Sequence, residues 1–222
     1  MSKVLFVAPH PDDETLGCGG TILKYKNEGH KIFWLIVTSS FEDDGFDKKS
    51  IEEREKEIIK VKEKYGFQGI YNLNYRTTFL ETYPRTEIIK SISAIIDKTK
   101  PDILFIPNGN DVHSDHRVIN EASWSSSKSF RKRTIKEIYS YETVSETEFA
   151  QPFKSHVFIP NVFCDISEYI SEKLEIMKIY NSEIKPHPFP RSLENLKALA
   201  MFRGATAGVK FAEAFMCLKR II

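Results

Sequence analysis

The chain has 222 residues, of which 41% are hydrophobic, and its formal net charge at pH 7 is +1. This length and hydrophobic content suit one domain over residues 1–222 with a buried core. The near-neutral, interspersed charge provides no broad basic surface for nucleic acid or an anionic membrane, and the basic cluster at residues 131–133 is expected to form a solvated loop.

Cysteine use and hydropathy favour the cytoplasm. Cys18, Cys164 and Cys217 are far apart and odd in number, which indicates neither a disulfide framework nor a CxxC zinc site. The apolar run near the N-terminus is too short for a signal peptide, and no later run approaches membrane-spanning length. We therefore expect a soluble cytoplasmic protein without stable membrane insertion.

Short β-branched and aromatic runs alternate with longer helical patterns over the first two thirds of the chain. These patterns predict strands near 3–8, 32–38, 69–74, 102–107 and 137–142, and helices near 13–28, 50–65, 86–99 and 116–128. Gly29, Gly66 and Pro101 follow the first three helices, as helix stop signals should. The alternation predicts an α/β fold with a Rossmann-like, open, mostly parallel sheet and helices on both faces.

The last third of the chain has a different pattern. Residues 156–166 are predicted to form a strand, 167–184 a helix and 191–220 a long helical stretch. Gly204 and Gly208 lie one turn apart in that stretch and would permit close helix packing. We expect this region to pack onto the sheet as a C-terminal helical cap.

A polar cluster directly follows the first predicted strand, with the sequence APHPDDE at residues 8–14. Prolines on both sides of His10 favour an extended backbone there, while the acidic residues suit the first turn of a helix. Adjacent side chains at such an elbow point in different directions, so that one of Asp12 and Asp13 could bind a metal while the other handles protons. Taken alone, the acidic pair could also be only a favourable helix start.

A second polar cluster, NGNDVHSDH at residues 108–116, follows the predicted strand 102–107. If a helix begins at His116, then His113 and His116 can lie on one side, with Asp115 between them as an orienting carboxylate. Such a motif alone is often ordinary surface sequence.

The predicted topology brings the two clusters together. In an open α/β sheet, ligands bind beyond the carboxyl ends of strands where the strand order reverses, and the first and fourth strands fit that position. His10, Asp13 and His116 would then form a site with two histidines, one carboxylate and open coordination positions, which is typical of a catalytic metal. Zinc is the expected ion, with iron or another divalent ion as an alternative.

Arg54 falls on the apolar stripe of its predicted helix rather than on the charged face. An arginine in that position either contacts an anionic or hydroxyl-bearing substrate or packs its stem on apolar surface with its head in solvent. Both interpretations remain open.

The motifs resemble those of the metal-dependent de-N-acetylases of the PIG-L/LmbE type, which include deacetylases of glycolipid-anchor, mycothiol and bacillithiol synthesis. PHPDDE followed by LGCGGT at residues 16–21 matches the first motif of that family, and HSDH at residues 113–116 matches the second. Supporting similarity extends over nearly the whole chain, through REKE at residues 54–57, Arg203-Gly204, Gly208 and AEAF at residues 212–215. The loop that begins at Thr38 departs from the family, because it lacks the glycine commonly found just after the threonine.

The resemblance implies a role for each motif residue. His10, Asp13 and His116 would bind zinc, and Asp12 would act as general base. Protonated His113, oriented by Asp115, would stabilise the oxyanion formed when water attacks an N-acetyl group.

The predicted reaction is therefore hydrolysis of an N-acetylglucosamine-type sugar or conjugate to acetate and a free amine. The alternatives are a metal-dependent hydrolase of another amide or an ester, and a non-catalytic sugar-binding module on the same fold. The glycines of the first helix do not predict a nicotinamide cofactor, because the HPDD elbow stands where a glycine-rich turn is required. No residue selects among the sugars of the family, and the sequence leaves open whether copies of the chain form a homo-oligomer.

Overall fold

A computed structural model describes residues 1–132 and 134–222. Its strands are β1 (Lys3–Ala8), β2 (Lys31–Ser39), β3 (Gly69–Arg76), β4 (Ile103–Pro107), β5 (Glu137–Tyr141), β6 (Val162–Asp165) and β7 (Ala212–Arg220). Its α-helices are α1 (Asp13–Asn27), α2 (Lys48–Tyr65), α3 (Arg85–Thr99), α4 (Ser114–Ser126), α5 (Ile170–Met177) and α6 (Leu193–Ala207). The first five strands and first four helices agree with the sequence prediction to within two residues at each end.

The strands form one open sheet in the order β3-β2-β1-β4-β5-β7-β6. Strand β1 pairs in parallel with β2 on one side and with β4 on the other, so the strand order reverses between β1 and β4. This confirms the predicted switch point. The polar clusters that follow β1 and β4 therefore lie at the same edge of the sheet.

Alternate side chains of the central strands β1, β2, β4 and β5 enter two separate cores. In β1, Val4 and Phe6 join a cluster that also contains residues of α1 and α2, whereas Leu5 and Val7 join a cluster with residues of α3 and α4. Since successive side chains of a strand point to opposite faces, a strand covered by helices on both sides is apolar throughout. The helices thus cover both faces, as predicted.

The C-terminal third differs from its prediction. The stretch 191–220 is not one helix: α6 ends at Ala207, and β7 enters the sheet antiparallel between β5 and β6. Gly208 ends α6 with a φ of 74°, a left-handed conformation that glycine adopts without strain. Gly204 does allow a close approach, but to the chain after the helix, because a Cβ there would lie 2.8 Å from backbone atoms of Lys210.

The other C-terminal elements are shorter than predicted. The strand expected over 156–166 forms only at β6, and the helix expected over 167–184 only at α5, followed by a 3₁₀ turn at Asn181–Glu183. Of the predicted loop 131–133, Arg133 lies outside the described residues, and Lys132 forms an ion pair with Asp97 at 2.5 Å. Within the described ranges, none of the helices combines the length and the apolar character needed to cross a membrane.

Candidate active site

The first half of the site is the elbow between β1 and α1. The backbone N–H of His10 donates to Asp13 Oδ2 at 2.8 Å, which fixes the extended residue against the first turn of the helix. Asp12 precedes α1 with a φ of 147°, a conformation that costs energy for any residue except glycine. Its N–H donates to Glu14 Oε2 at 3.1 Å, so the buried Glu14 helps to hold this strained position.

A buried ion pair between Glu213 and Lys173 contacts the backbone of helix α1. Glu213 of β7 accepts hydrogen bonds from the backbone N–H groups of Gly20 and Thr21, at 2.9 and 2.8 Å. Lys173 of α5 donates to Glu213 at 2.7 Å and to the carbonyl of Leu16 at 2.9 Å. The pair thus fixes the helix that begins with Asp13.

The second half of the site follows β4. His113 caps α4, and its Nδ1 accepts a hydrogen bond from the backbone N–H of Asp115 at 3.1 Å. His116 lies in the first turn of the helix, where its Nδ1 contacts Asp111 Oδ2 at 2.8 Å. This contact directs Nε2 of His116 toward the β1 elbow.

The switch point brings together His10, Asp13 and His116, each with one potential ligand atom within 4.8 Å of the others. Asp13 Oδ2 lies 3.2 Å from His10 Nδ1 and 3.3 Å from His116 Nε2. Ligand atoms about 2.0–2.1 Å from a tetrahedral zinc ion would lie about 3.4 Å apart, so these separations suit one shared ion.

Two orphaned atoms support the same interpretation. Asp13 Oδ1 and His116 Nε2 are buried and have no hydrogen-bond partner among the described residues. Leaving buried polar atoms unpaired is costly unless something else satisfies them. The donor set therefore fits a divalent metal. In metal-binding histidines the nitrogen that does not bind the metal is usually hydrogen-bonded, and Nδ1 of His116 has such a contact with Asp111.

The charges within the cluster stabilise one another, as the pKa values of Asp13 and His10 indicate. Burial by itself would raise the pKa of the Asp13 carboxyl, but the adjacent His116 and His10 hold that pKa well below its usual range. Burial works in the opposite direction on His10, yet its hydrogen bonds to Asp115 and Asp13 raise the pKa of this histidine to about 9. Asp13 is thus anionic, as a metal-binding carboxylate must be.

Asp12 does not share that environment. It is 3% exposed, and its Oδ2 accepts a hydrogen bond from Arg191 Nη1 at 2.9 Å. Burial raises the pKa of the Asp12 carboxyl to about 7 although Arg191 acts to lower it. The two adjacent aspartates are therefore electrostatically distinct, as the sequence suggested.

The contacts of Asp115 and His113 differ from the prediction. The Asp115 carboxylate does not orient His113: its Oδ2 contacts His10 Nε2 at 3.1 Å and accepts from the N–H of Thr78 at 2.7 Å. His113 is oriented by the backbone N–H of Asp115 instead. Burial and the neighbouring histidines His10 and His116 lower the pKa of His113 to about 4, so a protonated His113 is not favoured here. Since Nδ1 accepts, a neutral His113 carries its proton on Nε2 and remains a donor.

A cavity of about 710 Å³ opens over this centre. His10, Asp12 and His113 form part of its wall, together with Arg54 and residues of the loop after β2. The loop whose sequence departs from the family motif thus lines the cavity. Arg54 lies partly buried on the inner face of α2, donates to the carbonyl of Pro11 at 3.0 Å and pairs with Glu183.

Four residues of the site were not predicted from the sequence: Arg191, Glu183, Glu14 and Asp111. Asp111 belongs to the polar cluster after β4, so the strand-end pattern contained a signal for it. Glu14 continues the acidic run of the elbow, which suggested only a helix start. Arg191 and Glu183 lie in a C-terminal segment without a local motif, and only the fold brings them to Asp12.

A two-histidine, one-carboxylate cluster at the switch point of an open α/β sheet, with a cavity over it, is the arrangement expected of an enzyme with a catalytic metal site. The PIG-L family, described as GlcNAc-PI de-N-acetylase, matches residues 5–126, and the chain belongs to this family. It is accordingly an enzyme of the N-deacetylase class.

Two curated relatives and one solved structure show how far the similarity extends. The diacetylchitobiose deacetylase of Thermococcus kodakarensis is 28% identical, over 96% of this chain and 82% of the relative. A probable N-acetyl-α-D-glucosaminyl L-malate deacetylase of Bacillus anthracis is 25% identical, over 81% and 80%. The N,N′-diacetylchitobiose deacetylase of Pyrococcus horikoshii, solved with an inhibitor, superposes with a TM-score of 0.76 at 26% identity, over 98% of this chain and 84% of that one.

Proposed function

We propose that this protein hydrolyses the N-acetyl group of an N-acetylglucosamine-type sugar or conjugate, releasing acetate and a free amine, with zinc as its metal. The observation that carries the proposal is the cluster of His10, Asp13 and His116 at the switch point, with Asp12 beside it on the wall of the cavity. The named activities of the two chitobiose deacetylases and of the malate-conjugate relative support the choice of substrate class.

His10, Asp13 and His116 would hold the metal, which when bound makes water more acidic and polarises the acyl carbonyl. Asp115 orients His10 by accepting from its Nε2, and Asp111 does the same for His116. Each histidine would thereby present its other nitrogen to the ion.

Asp12 would accept the proton of the attacking water and deliver it to the leaving amine. Arg191 donates a hydrogen bond to Oδ2 of this carboxylate. The other oxygen, Oδ1, forms no hydrogen bond with any of residues 1–132 and 134–222. That oxygen is therefore available for proton transfer, while the guanidinium fixes the plane of the carboxylate.

His113 would donate its Nε2–H to the oxyanion of the tetrahedral intermediate as a neutral imidazole. A preorganised donor of this kind contributes typically about 3–4 kcal/mol of transition-state stabilisation. Arg54, on the cavity wall, would hydrogen-bond a hydroxyl or carbonyl oxygen of the substrate.

The decisive test is release of primary amine and acetate from N,N′-diacetylchitobiose and other N-acetylated sugars, with zinc supplied. Asp12→Asn should retain metal yet lose activity by about 10²–10⁴-fold, the usual contribution of a general base. The matched control is Asp97→Asn. It changes an exposed carboxylate on α3 that does not line the cavity, and it should keep full activity. Activity of Asp12→Asn within about tenfold of wild type would remove Asp12 as the base, and release of an acyl group other than acetate would redirect the proposal to another amide or ester.

A further inference from the structure

We propose that the cavity selects N-acetylglucosamine derivatives whose group at C1 is uncharged or cationic, and that it discriminates against phosphate or carboxylate at that position. This inference rests on the proposed function and narrows its substrate class. The evidence for it is the set of charged side chains that line the cavity.

Carboxylates outnumber cations on the cavity wall. Among the described residues that line it, five are acidic, two are arginines and two are histidines, His10 and His113, and no lysine contributes. The acidic residues are Asp12, Glu42, Asp43, Glu55 and Glu183. Glu42, Asp43 and Glu55 are exposed, so their field acts on any group that enters.

Both arginines are already paired. Arg191 contacts Asp12 at 2.9 Å, Glu183 at 2.8 Å and Glu146 at 3.3 Å. Arg54 pairs with the same Glu183 and lies 3.4 Å from Glu57. Their side chains are only 18% and 22% exposed. An anionic substrate group would therefore have to displace Glu183 to gain an arginine as its partner.

A third arginine lies beside the loop after β2, and it is paired as well. Arg76 forms ion pairs with Asp44 and, at 3.4 Å, with Asp43. Its guanidinium also lies 5.2 Å from the centre of the Phe41 ring. Arg76 thus pairs with one wall carboxylate, Asp43, whereas Glu42 and Glu55 form no ion pair with any of the described residues.

The rest of the lining suits an uncharged sugar. Ser39 and Asn74 are joined by a hydrogen bond of 3.0 Å, and Asn72 donates to Ser39 at 2.9 Å, which gives a neutral polar wall able to bind hydroxyl groups. Phe41 and Phe46 add apolar surface from the same loop. A sugar ring offers hydroxyls at its edge and C–H groups on its faces, so it can use both kinds of contact.

The test compares two substrates that share the sugar and the anomer and differ in charge: methyl N-acetyl-α-D-glucosaminide and N-acetyl-α-D-glucosamine 1-phosphate. With zinc-loaded wild-type enzyme at low ionic strength, we expect kcat/KM to favour the methyl glycoside by about tenfold or more, equivalent to about 1.4 kcal/mol. The ratio should shrink as salt screens the exposed carboxylates. Inorganic phosphate added to the methyl glycoside reaction controls for direct binding of phosphate to the metal.

Glu183→Gln should move the ratio toward the phosphate, because it releases Arg54 and Arg191 from their shared carboxylate. The matched control, Glu121→Gln, changes an exposed carboxylate of α4 outside the cavity and should leave the ratio unchanged. Equal or better turnover of the phosphate by wild type, or an unchanged ratio in Glu183→Gln, would overturn the proposal.

A separate measurement distinguishes failure of this inference from failure of the proposed function. Calorimetric titration of both compounds onto zinc-loaded His113→Ala reports binding while turnover is slowed, and this variant keeps all five carboxylates and both arginines of the wall. If wild type releases no amine from any sugar, the deacetylase proposal fails, whereas the selectivity inference stands or falls on whether the methyl glycoside binds more tightly than the phosphate.

Discussion

Asp12 and Asp13 are adjacent in the chain but have opposite surroundings. Asp13 faces two histidines, which stabilise its negative charge, whereas Asp12 is buried against a single guanidinium in a backbone conformation with a φ of 147°. Strain of this kind persists only where neighbouring contacts enforce it, here the hydrogen bond from Asp12 N–H to Glu14 and the ion pair with Arg191. The elbow thus turns the two carboxylates toward different partners.

At this scale we predict the effect of removing one ligand. His116→Ala deletes an imidazole that is 1% exposed and whose Nε2 has no hydrogen-bond partner among the described residues. The variant should purify without bound metal, as measured by inductively coupled plasma mass spectrometry, while circular dichroism remains that of the wild type. His187→Ala, which changes an exposed histidine outside the cluster, should keep its metal. Full metal occupancy in His116→Ala would exclude His116 from the ligand set.

Among the elements, β7 shows most clearly how context overrides local preference. Ala, Glu, Leu, Met and Lys, which favour helices, make up much of its sequence, and β7 lies within the helical stretch predicted over residues 191–220. Pairing with β5 on one side and β6 on the other outweighs that preference. In this strand Glu213 lies next to α1 and accepts hydrogen bonds from its backbone. The AEAF motif at residues 212–215 does not by itself predict that contact.

The ion pair of Glu213 and Lys173 should therefore matter for stability. Glu213→Ala leaves the ammonium of Lys173 buried without its carboxylate, and removing one partner of a buried pair typically costs about 3–5 kcal/mol. We expect the free energy of unfolding, measured by urea denaturation, to fall by about that amount. Glu172→Ala, an exposed neighbour of Lys173 on α5, should change it by less than about 0.5 kcal/mol. Equal effects of the two substitutions would contradict the assigned role of the pair.

For the whole molecule, metal binding and folding stability are linked. The ligands come from β1–α1 and β4–α4, which are separated by about a hundred residues, so a metal that binds this cluster binds only the folded chain. Zinc at a hundred times its dissociation constant should add about 2.7 kcal/mol of stability.

For a chain of this size, that gain corresponds to a rise in Tm of about 5–10 °C, measured by differential scanning fluorimetry. A chelator should reverse the rise, and His116→Ala should show none. A shift of the same size in His116→Ala would mean that zinc stabilises the protein at another site.

The sequence by itself determined the alternation of strands and helices, the switch point between β1 and β4, and the residues that meet there. It could do so because prolines, strand ends and helix starts act locally, and because the order of parallel strands constrains where their ends lie. Only the tertiary structure decided the contacts of Asp115 with His10, of Arg191 with Asp12 and of Glu183 with two arginines. Asp115 and His10 lie 105 residues apart in the chain, Arg191 and Asp12 lie 179 apart, and Glu183 and Arg54 lie 129 apart. No local sequence pattern predicts contacts over such separations. The acidic character of the cavity likewise follows from which charges the fold places side by side, since the chain as a whole is nearly neutral.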